Sequence, residues 1–599
     1  MLFQTNEKFD LQRIPYARAG SYFYINEDYF QRKLKMILVY LDGMMHFGEN
    51  ALWMDVLENG ETVRYNYFGD EGSLTLTTPN CYIGVALTDY NQVRFRGRKN
   101  AGLKLSLNPT GPNTPAGALK SAVKLPDGSY ELYLGRLGYL RFKLLKGSVA
   151  VDCPWDSENN RYSRFEITFT PDESGEFEAV VHDYREQFTN EAGYPAFDEV
   201  VSKNLADYNA FAENYKKNIP AKYASLENSC IYTIWSHFMK EDGFIKSPLI
   251  MFHYNCIAGA FAWQQSYNGM AMMGNPSYGL ALIESMFEYQ DPVSGVVPSN
   301  VYNNAIGYAG VQPPLQGFAF NTLTKMCGED FISAEEAKKF LPKFEAWVAW
   351  WTTYRTAGRD DDLIQINNPN ESGWDDATIF SEGFPASNPD TISMIIECMY
   401  SCATLARISG DMDKAASWTG RADALLKILI EEFWDGEKFV TKHNGEVVES
   451  QSLAIYQSIF HGDKLPADIV DKCVEGIFKE GAYMTPMGLC SESMFSEMCS
   501  WRGGHFVIGR VVAPFQMYIS VGLWLAGKKE EARKIAEAWC DTVMDKGVRL
   551  GFKPYEIHPL TGEPDPTIIE PQPSDSWAWA AWSACCTMTI LQIVLGEDN

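Results

Sequence analysis

Asn367-Asn368-Pro369-Asn370-Glu371-Ser372-Gly373-Trp374-Asp375-Asp376 lies between two long helical patterns and cannot itself be a regular helix. Pro369 removes a backbone donor and fixes φ, and Gly373 frees the chain to turn. Three carboxylates and a tryptophan in one irregular connection make a candidate site for proton chemistry on a polar substrate. The same ten residues also read as a solvated acidic loop with one aromatic anchor, because loops are usually polar. The flanking sequence has to decide between these readings.

Before the stretch, Phe340, Phe344, Trp347, Trp351 and Tyr354 share one face of a helix. Ser333-Ala334-Glu335-Glu336 has the form of a capping box at its start, and Pro342 either kinks it or marks its first turn. After the stretch, Trp418, Ala422, Leu425 and Leu429 form another stripe beyond the turn Ser409-Gly410-Asp411. Leu523 to Ala526 and Glu530 to Met544 read as two helices parted by Gly527, and Ser574 to Leu595 as a last, buried helix. Helix candidates fill residues 223–597, joined by loops rich in Gly, Pro and Asn. They fit a barrel of helical hairpins whose loops at one end line a pocket. An α-solenoid is the alternative, but no repeating period of the usual length is present.

Residues 1–185 follow a different period. Ser21 to Ile25 reads as an aromatic strand and Lys35 to Leu41 as a buried-type run. Ala51 to Leu57 and Thr62 to Phe68 flank Asn59-Gly60, a hairpin signal. Further strands are expected at Cys81 to Leu87, Val93 to Arg96, Leu103 to Leu107, Tyr130 to Leu134, Tyr139 to Leu145, Arg164 to Thr170 and Phe177 to Val181. Short strands at this spacing suggest an antiparallel β-sandwich. Residues 186–222 are polar with helical stretches and read as a linker to a helical domain at 223–599.

The 599 residues exceed what one core supports, so two or more domains are expected. The formal net charge of −26 repels phosphate backbones and anionic membranes, leaving neutral substrates unaffected. No signal peptide and no long apolar span are read from the sequence. The 13 cysteines are scattered without a Cys-x-x-Cys pair, which suits buried thiols and a cytoplasmic location. The eight histidines do not cluster, so neither a metal nor another cofactor is expected.

Further loop segments carry candidate chemistry. Trp263-Gln264-Gln265-Ser266-Tyr267-Asn268-Gly269 sets amides beside aromatics, as sugar binding requires, or is an ordinary helix start. Gln312-Pro313-Pro314 is an extended segment opening a helix. Gly551 to Glu563 is made rigid by Pro554 and Pro559, with Glu556 in its middle. Trp501-Arg502-Gly503 offers an arginine to a carboxylate, of substrate or of protein. Two such loops acting together suit glycosidic cleavage with inversion. One carboxylic acid protonates the leaving oxygen, and a carboxylate roughly 6.5–9.5 Å away activates a water.

Glu371-Ser372-Gly373-Trp374-Asp375 resembles the general-acid motif of the clan uniting glycoside hydrolase families 37 and 63, the trehalases, processing α-glucosidases and bacterial relatives. The segment around Glu556 resembles the one that carries the family's catalytic base, ending in Pro559-Leu560-Thr561-Gly562, with His558 where the family has Asn or Asp. Gln312-Pro313-Pro314, Phe433-Trp434-Asp435, Thr485-Pro486-Met487-Gly488-Leu489 and Trp501-Arg502-Gly503 are similar to further family segments, in the family's order. Two departures stand out: Trp263-Gln264 replaces the usual Trp-Asp, and Gly504-His505-Phe506 replaces Pro-x-Trp.

The resemblance implies an (α/α)6 barrel behind the β-sandwich and an inverting glycoside hydrolase acting on a short α-linked gluco-type glycoside. It implies Asp375 as general acid and Glu556 as base. Trp263, Gln264, Gln312, Glu371, Trp374, Asp376, Arg502 and Trp577 are the expected sugar contacts. A glycoside phosphorylase on the same barrel, or a non-catalytic carbohydrate-binding protein, is the alternative. The expected partner is a small carbohydrate.

Overall fold

The computed structural model describes residues 10–11, 14–28, 33–39, 51–88, 91–107, 119–135, 138–185, 187–190, 193–246, 249–254, 258–356, 363–499, 507–554 and 579–597. The N-terminal part is two antiparallel sheets. One runs Tyr16–Ala17, Phe23–Asp28, Lys33–Leu38, Ala51–Glu58, Ala101–Leu107, Phe165–Thr170 and Ser148–Asp152 from edge to edge, with Glu61–Val63 also paired to Ala51–Glu58. The other runs Ser121–Lys124, Tyr130–Tyr133, Tyr139–Lys146, Phe177–Tyr184, Gln92–Arg98, Tyr82–Leu87, Leu74–Thr77 and Asn66–Gly69. Alternate residues turn inward, as a sandwich requires. Leu103, Leu105, Phe165, Ile167 and Phe169 of one sheet and Phe95, Ala179 and Val181 of the other are buried. The Asn-Gly hairpin forms as expected: Asn59 and Gly60 both have positive φ, at 52° and 84°, the geometry of a primed turn.

Helix α1 (Phe197–Ala212) falls within the helical stretches read in residues 186–222. It lies against the sandwich. Asn204 donates to the carbonyls of Gly72 at 3.1 Å and Leu87 at 2.9 Å. Arg96 grips Asp198 with two hydrogen bonds of 2.8 and 2.7 Å.

The remaining helices are α2 (Ala224–Ser236), α3 (Ala262–Ala271), α4 (Pro276–Ser285), α5 (Gln316–Cys327), α6 (Ala334–Tyr354), α7 (Pro389–Ile408), α8 (Met412–Phe433), α9 (Ala467–Ile477), α10 (Ala513–Leu525), α11 (Lys529–Lys546) and α12 (Ala581–Ile593), with a 3-10 segment at Leu453–Lys464. They make an (α/α)6 barrel. The inner ring closes on itself: α3 packs on α5, α5 on α7, α7 on Leu453–Lys464, that segment on α10, α10 on α12, and α12 back on α3. The outer layer follows: α4 on α3 and α5, α6 and α8 on α7, α9 on Leu453–Lys464, α11 on α10 and α12, and α2 on α12.

Composition sorts the helices into the two layers. Every residue of α3 and α12 is buried, whereas α8 buries one stripe: Ala415, Trp418, Ala422, Leu426, Leu429 and Phe433. That stripe takes Leu426 where the sequence reading placed Leu425. Helix α6 has its capping box at Ser333 and Glu336 and continues past Pro342. The proline is on the solvent side, where the carbonyl it leaves unbonded can be hydrated. Helix α7 is long and apolar enough to cross a membrane by length and composition, and it is buried in the barrel core.

In such a ring the two ends differ. Connections from an inner to the next outer helix are short: 272–275, 328–333, 409–411, 465–466 and 526–528. Those from an outer to the next inner helix are long: 237–261, 286–315, 355–388, 434–452, 478–512 and 547–580. Asn367 to Asp376 and Gln312-Pro313-Pro314 lie on long connections, and Trp263-Gln264-Gln265 lies on the first turn of the inner helix that follows one.

Candidate functional site

The connection between α6 and α7 carries the stretch from Asn367 to Asp376, which is irregular apart from a single 3-10 turn at Pro369–Glu371. Each residue from Glu371 to Asp376 except one is tied down. Glu371 is buried, and its carboxylate accepts from the Arg355 guanidinium at 3.1 Å through Nε and again through Nη2. It also accepts from the Asn367 amide at 3.0 Å and from Asn368 Nδ2 at 3.1 Å. Ser372 donates to Asp390 at 2.5 Å. Gly373 turns at φ 81°, and a Cβ there would meet the Trp263 ring at 2.2 Å. Trp374 is fully buried, stacked on Phe515 with ring centroids 3.4 Å apart, and donates Nε1–H to Gln457 at 2.5 Å. The Asp376 carboxylate accepts from the backbone amides of Val507 at 2.8 Å and Ile508 at 3.3 Å.

Asp375 is the exception. It is only partly exposed, and among the described residues no side chain hydrogen-bonds to its carboxyl. Burial, and then the neighbouring Asp376 charge, raise its pKa to about 6. An acid of that strength keeps a proton to donate near neutral pH.

These anchors correct part of the expected sugar-contact set. The oxygens of Glu371 are occupied by protein donors, so it holds the loop and offers nothing to a sugar hydroxyl. Trp374 has no exposed face and serves as a core peg. Trp263-Gln264-Gln265 lies on helix α3 and is not a loop. Trp263 is nearly buried, with its ring against Trp582 and against the Gly373 turn. Gln264 is buried and donates to the Met251 carbonyl at 3.0 Å, while its Oε1 has no partner. Gln312 is half-buried just ahead of α5. Arg502, Glu556 and Trp577 lie outside the described residues.

The structure adds residues that the sequence reading did not single out as part of the site. Arg355 caps α6 and clamps Glu371, with its guanidinium 4.5 Å above the centre of the Trp350 ring. Asp390, in the first turn of α7, is buried and raised to about 6 by burial. Asn388-Pro389-Asp390 reads in sequence as an ordinary helix start, which hides this function. Glu492 is buried, accepts from Thr378 at 2.9 Å, and is raised to about 7 by burial. Thr378 is two residues past Asp376, so a third buried carboxyl reaches the same loop from the connection before α10. Among the described residues no cluster of His, Cys, Asp and Glu could hold a metal ion.

Comparison with known proteins agrees with this architecture. A bacterial glucoamylase solved in complex with acarbose superposes at a TM-score of 0.61, with 11% identity, over 98% of this chain and 94% of that one. It has the same fold. The family 63 mannosylglycerate hydrolase of Thermus thermophilus, solved in complex with glucose, aligns over 60% of this chain and 98% of its own. The identity there is 14% and the TM-score 0.47. The chain matches no curated protein sequence. The family model described as mannosylglycerate hydrolase MGH1-like glycoside hydrolase domain matches residues 261–580, more than half of the chain. The protein belongs to that family and is a glycoside hydrolase of the family 63 type.

Proposed function

We propose that the protein hydrolyses a short α-linked gluco-type glycoside with inversion, using Asp375 as general acid and Glu556 as general base. The observation that supports this most is the isolation of Asp375. Its neighbours in the loop are bound to protein, and within that loop Asp375 combines partial exposure, burial-raised acidity and freedom from any described side-chain donor.

In the proposed step Asp375 gives its proton to the glycosidic oxygen as the bond from that oxygen to the anomeric carbon breaks. A water on the opposite face loses a proton to Glu556 as its oxygen bonds the anomeric carbon. The released sugar carries inverted configuration. Asp375 is left ionised and Glu556 protonated, and solvent exchange restores both. The Asp376 charge assists by holding the Asp375 proton until the substrate takes it. Its own contacts to the Val507 and Ile508 amides fix the angle of the loop.

Proton NMR of the first product tests this, across maltose, isomaltose, trehalose, nigerose and mannosylglycerate. The reading expects one α-glucoside to yield β-glucose first. An α-anomer as the sole first product, or release only in the presence of phosphate, contradicts it. Turnover confined to mannosylglycerate keeps the mechanism and replaces the substrate.

A further inference from the structure

A polar cavity of about 870 Å³ lies between the sandwich and the barrel, and Asp375 is not among its lining residues. Ligand pockets span about 300–1,000 Å³, so it has room for more than one sugar ring. From the sandwich it takes residues of the strands Gln92–Arg98 and Phe177–Tyr184. From the barrel it takes Lys240, Asp242 and Asn303, on the first two long connections. Those connections are packed tightly together: Phe244 donates to the Asn303 carbonyl at 2.8 Å. One wall is stiffened by Tyr133, Tyr139 and Tyr184, stacked with centroids 4.8 and 4.9 Å apart.

The lining has an excess of unused acceptors. Asn91 Oδ1, Gln92 Oε1, Asp183 Oδ1 and Asn303 Oδ1 are buried and have no hydrogen-bond partner. Two of these amide orientations are fixed by the other end of the group. Gln92 Nε2 donates to Asn190 at 3.1 Å and to the Gly193 carbonyl at 3.3 Å. Asn303 Nδ2 donates to Asp242 at 3.0 Å. The His182 ring, held neutral by burial with its pKa lowered to about 4, leaves Nε2 unpartnered as well. Unmet buried acceptors cost free energy and call for donors. Asp183 and Asp242 face Lys240 and Arg185 around the same space, and burial raises the Asp183 pKa to about 7.

We infer that this cavity is a second carbohydrate-binding site, taking a neutral oligosaccharide whose hydroxyls donate to these oxygens and which bridges the sandwich to the barrel. It stands on the lining alone and does not require the Asp375 chemistry. A sugar held there rests against the connections that lead into α3 and α5, so it couples the sandwich to the catalytic end of the barrel.

The test is isothermal titration of full-length Asp375→Asn protein with maltotetraose, isomaltotriose and α-1,2-mannobiose. At least one of these should fill two sites per chain. Gln92→Leu with Asn303→Leu should abolish one site and leave the other. Hydrogen exchange on the unmutated cavity guards against a folding artefact: the bound sugar should protect residues 91–92 and 240–243. A single site indifferent to the cavity substitutions, or no binding of any of the three sugars, overturns the inference. Turnover of the parent enzyme on its substrate is read separately, so loss of the cavity site and loss of the acid–base reading are distinguishable.

Discussion

Two carboxylates buried in the same barrel meet opposite fates. Glu397, about two turns beyond Asp390 along α7, is buried against a full set of donors. Lys464 Nζ is 2.9 Å from it, His461 Nδ1 2.7 Å and Asn321 Nδ2 2.7 Å. Burial pushes its pKa up, but the Lys464 charge and the His461 hydrogen bond outweigh that and hold it down at about 2. Among the described residues Asp375 has no cation and no side-chain donor, and it is raised to about 6. The protein pairs the carboxylate it uses to join α5, α7 and Leu453–Lys464. It leaves without a described side-chain partner the one on the long connection between α6 and α7. A carboxyl poised to release a proton must lack the partners that would make it a strong acid.

The contrast can be broken most sharply by removing the acid. Asp375→Asn should lower kcat on an O-glycoside by about 10²–10⁴-fold, with the circular dichroism spectrum and melting temperature unchanged. Removing the paired carboxylate should do the reverse. Glu397→Ala strands Lys464 and should cost about 3–5 kcal/mol in urea unfolding, with the pH dependence of kcat unmoved. Gly373→Ala lies between the two. The positive φ and the Trp263 ring together should cost about 1–3 kcal/mol, and kcat should fall because the turn that aims Asp375 shifts.

The effect of pH on stability separates the two carboxyl types. Asp375, Asp390 and Glu492 are raised to about 6, 6 and 7. Their contribution to stability is complete below the unfolded value of about 4 and is lost as pH rises through 6 to 7. Glu397 contributes above its unfolded value and loses that contribution as pH falls toward 2. Thermal melts should therefore show greatest stability near pH 4, with a decline by pH 7 that is reduced in Asp390→Asn. The smallest expected effect is Asp376→Asn. The asparagine keeps an acceptor for the Val507 and Ile508 amides but removes the charge, so the alkaline limb of the kcat profile should move to lower pH at unchanged stability.

Much of this was legible in the sequence, for identifiable reasons. The Asn59-Gly60 hairpin, the Ser333 capping box and the break at Gly527 are local signals, and each forms as read. Asp375 stands out because Gly-Trp-Asp-Asp is unusual between helices. Glu371 and Trp374 share that stretch, and nothing in the linear pattern separates the residues that hold a loop from the one it presents. Only Arg355, Gln457 and Phe515, brought in from other elements, make that division. The docking of α1 was hidden for the same reason. Its apolar face is narrow, and it is held by Arg96 and Asn204 contacts that leave no periodic trace.

The most direct test of the acid assignment compares two leaving groups in Asp375→Asn. α-Glucosyl fluoride departs without needing a proton, whereas a glucosyl O-glycoside requires one. The account predicts that the substitution removes nearly all turnover of the O-glycoside while sparing most turnover of the fluoride. Equal losses on both substrates would contradict it.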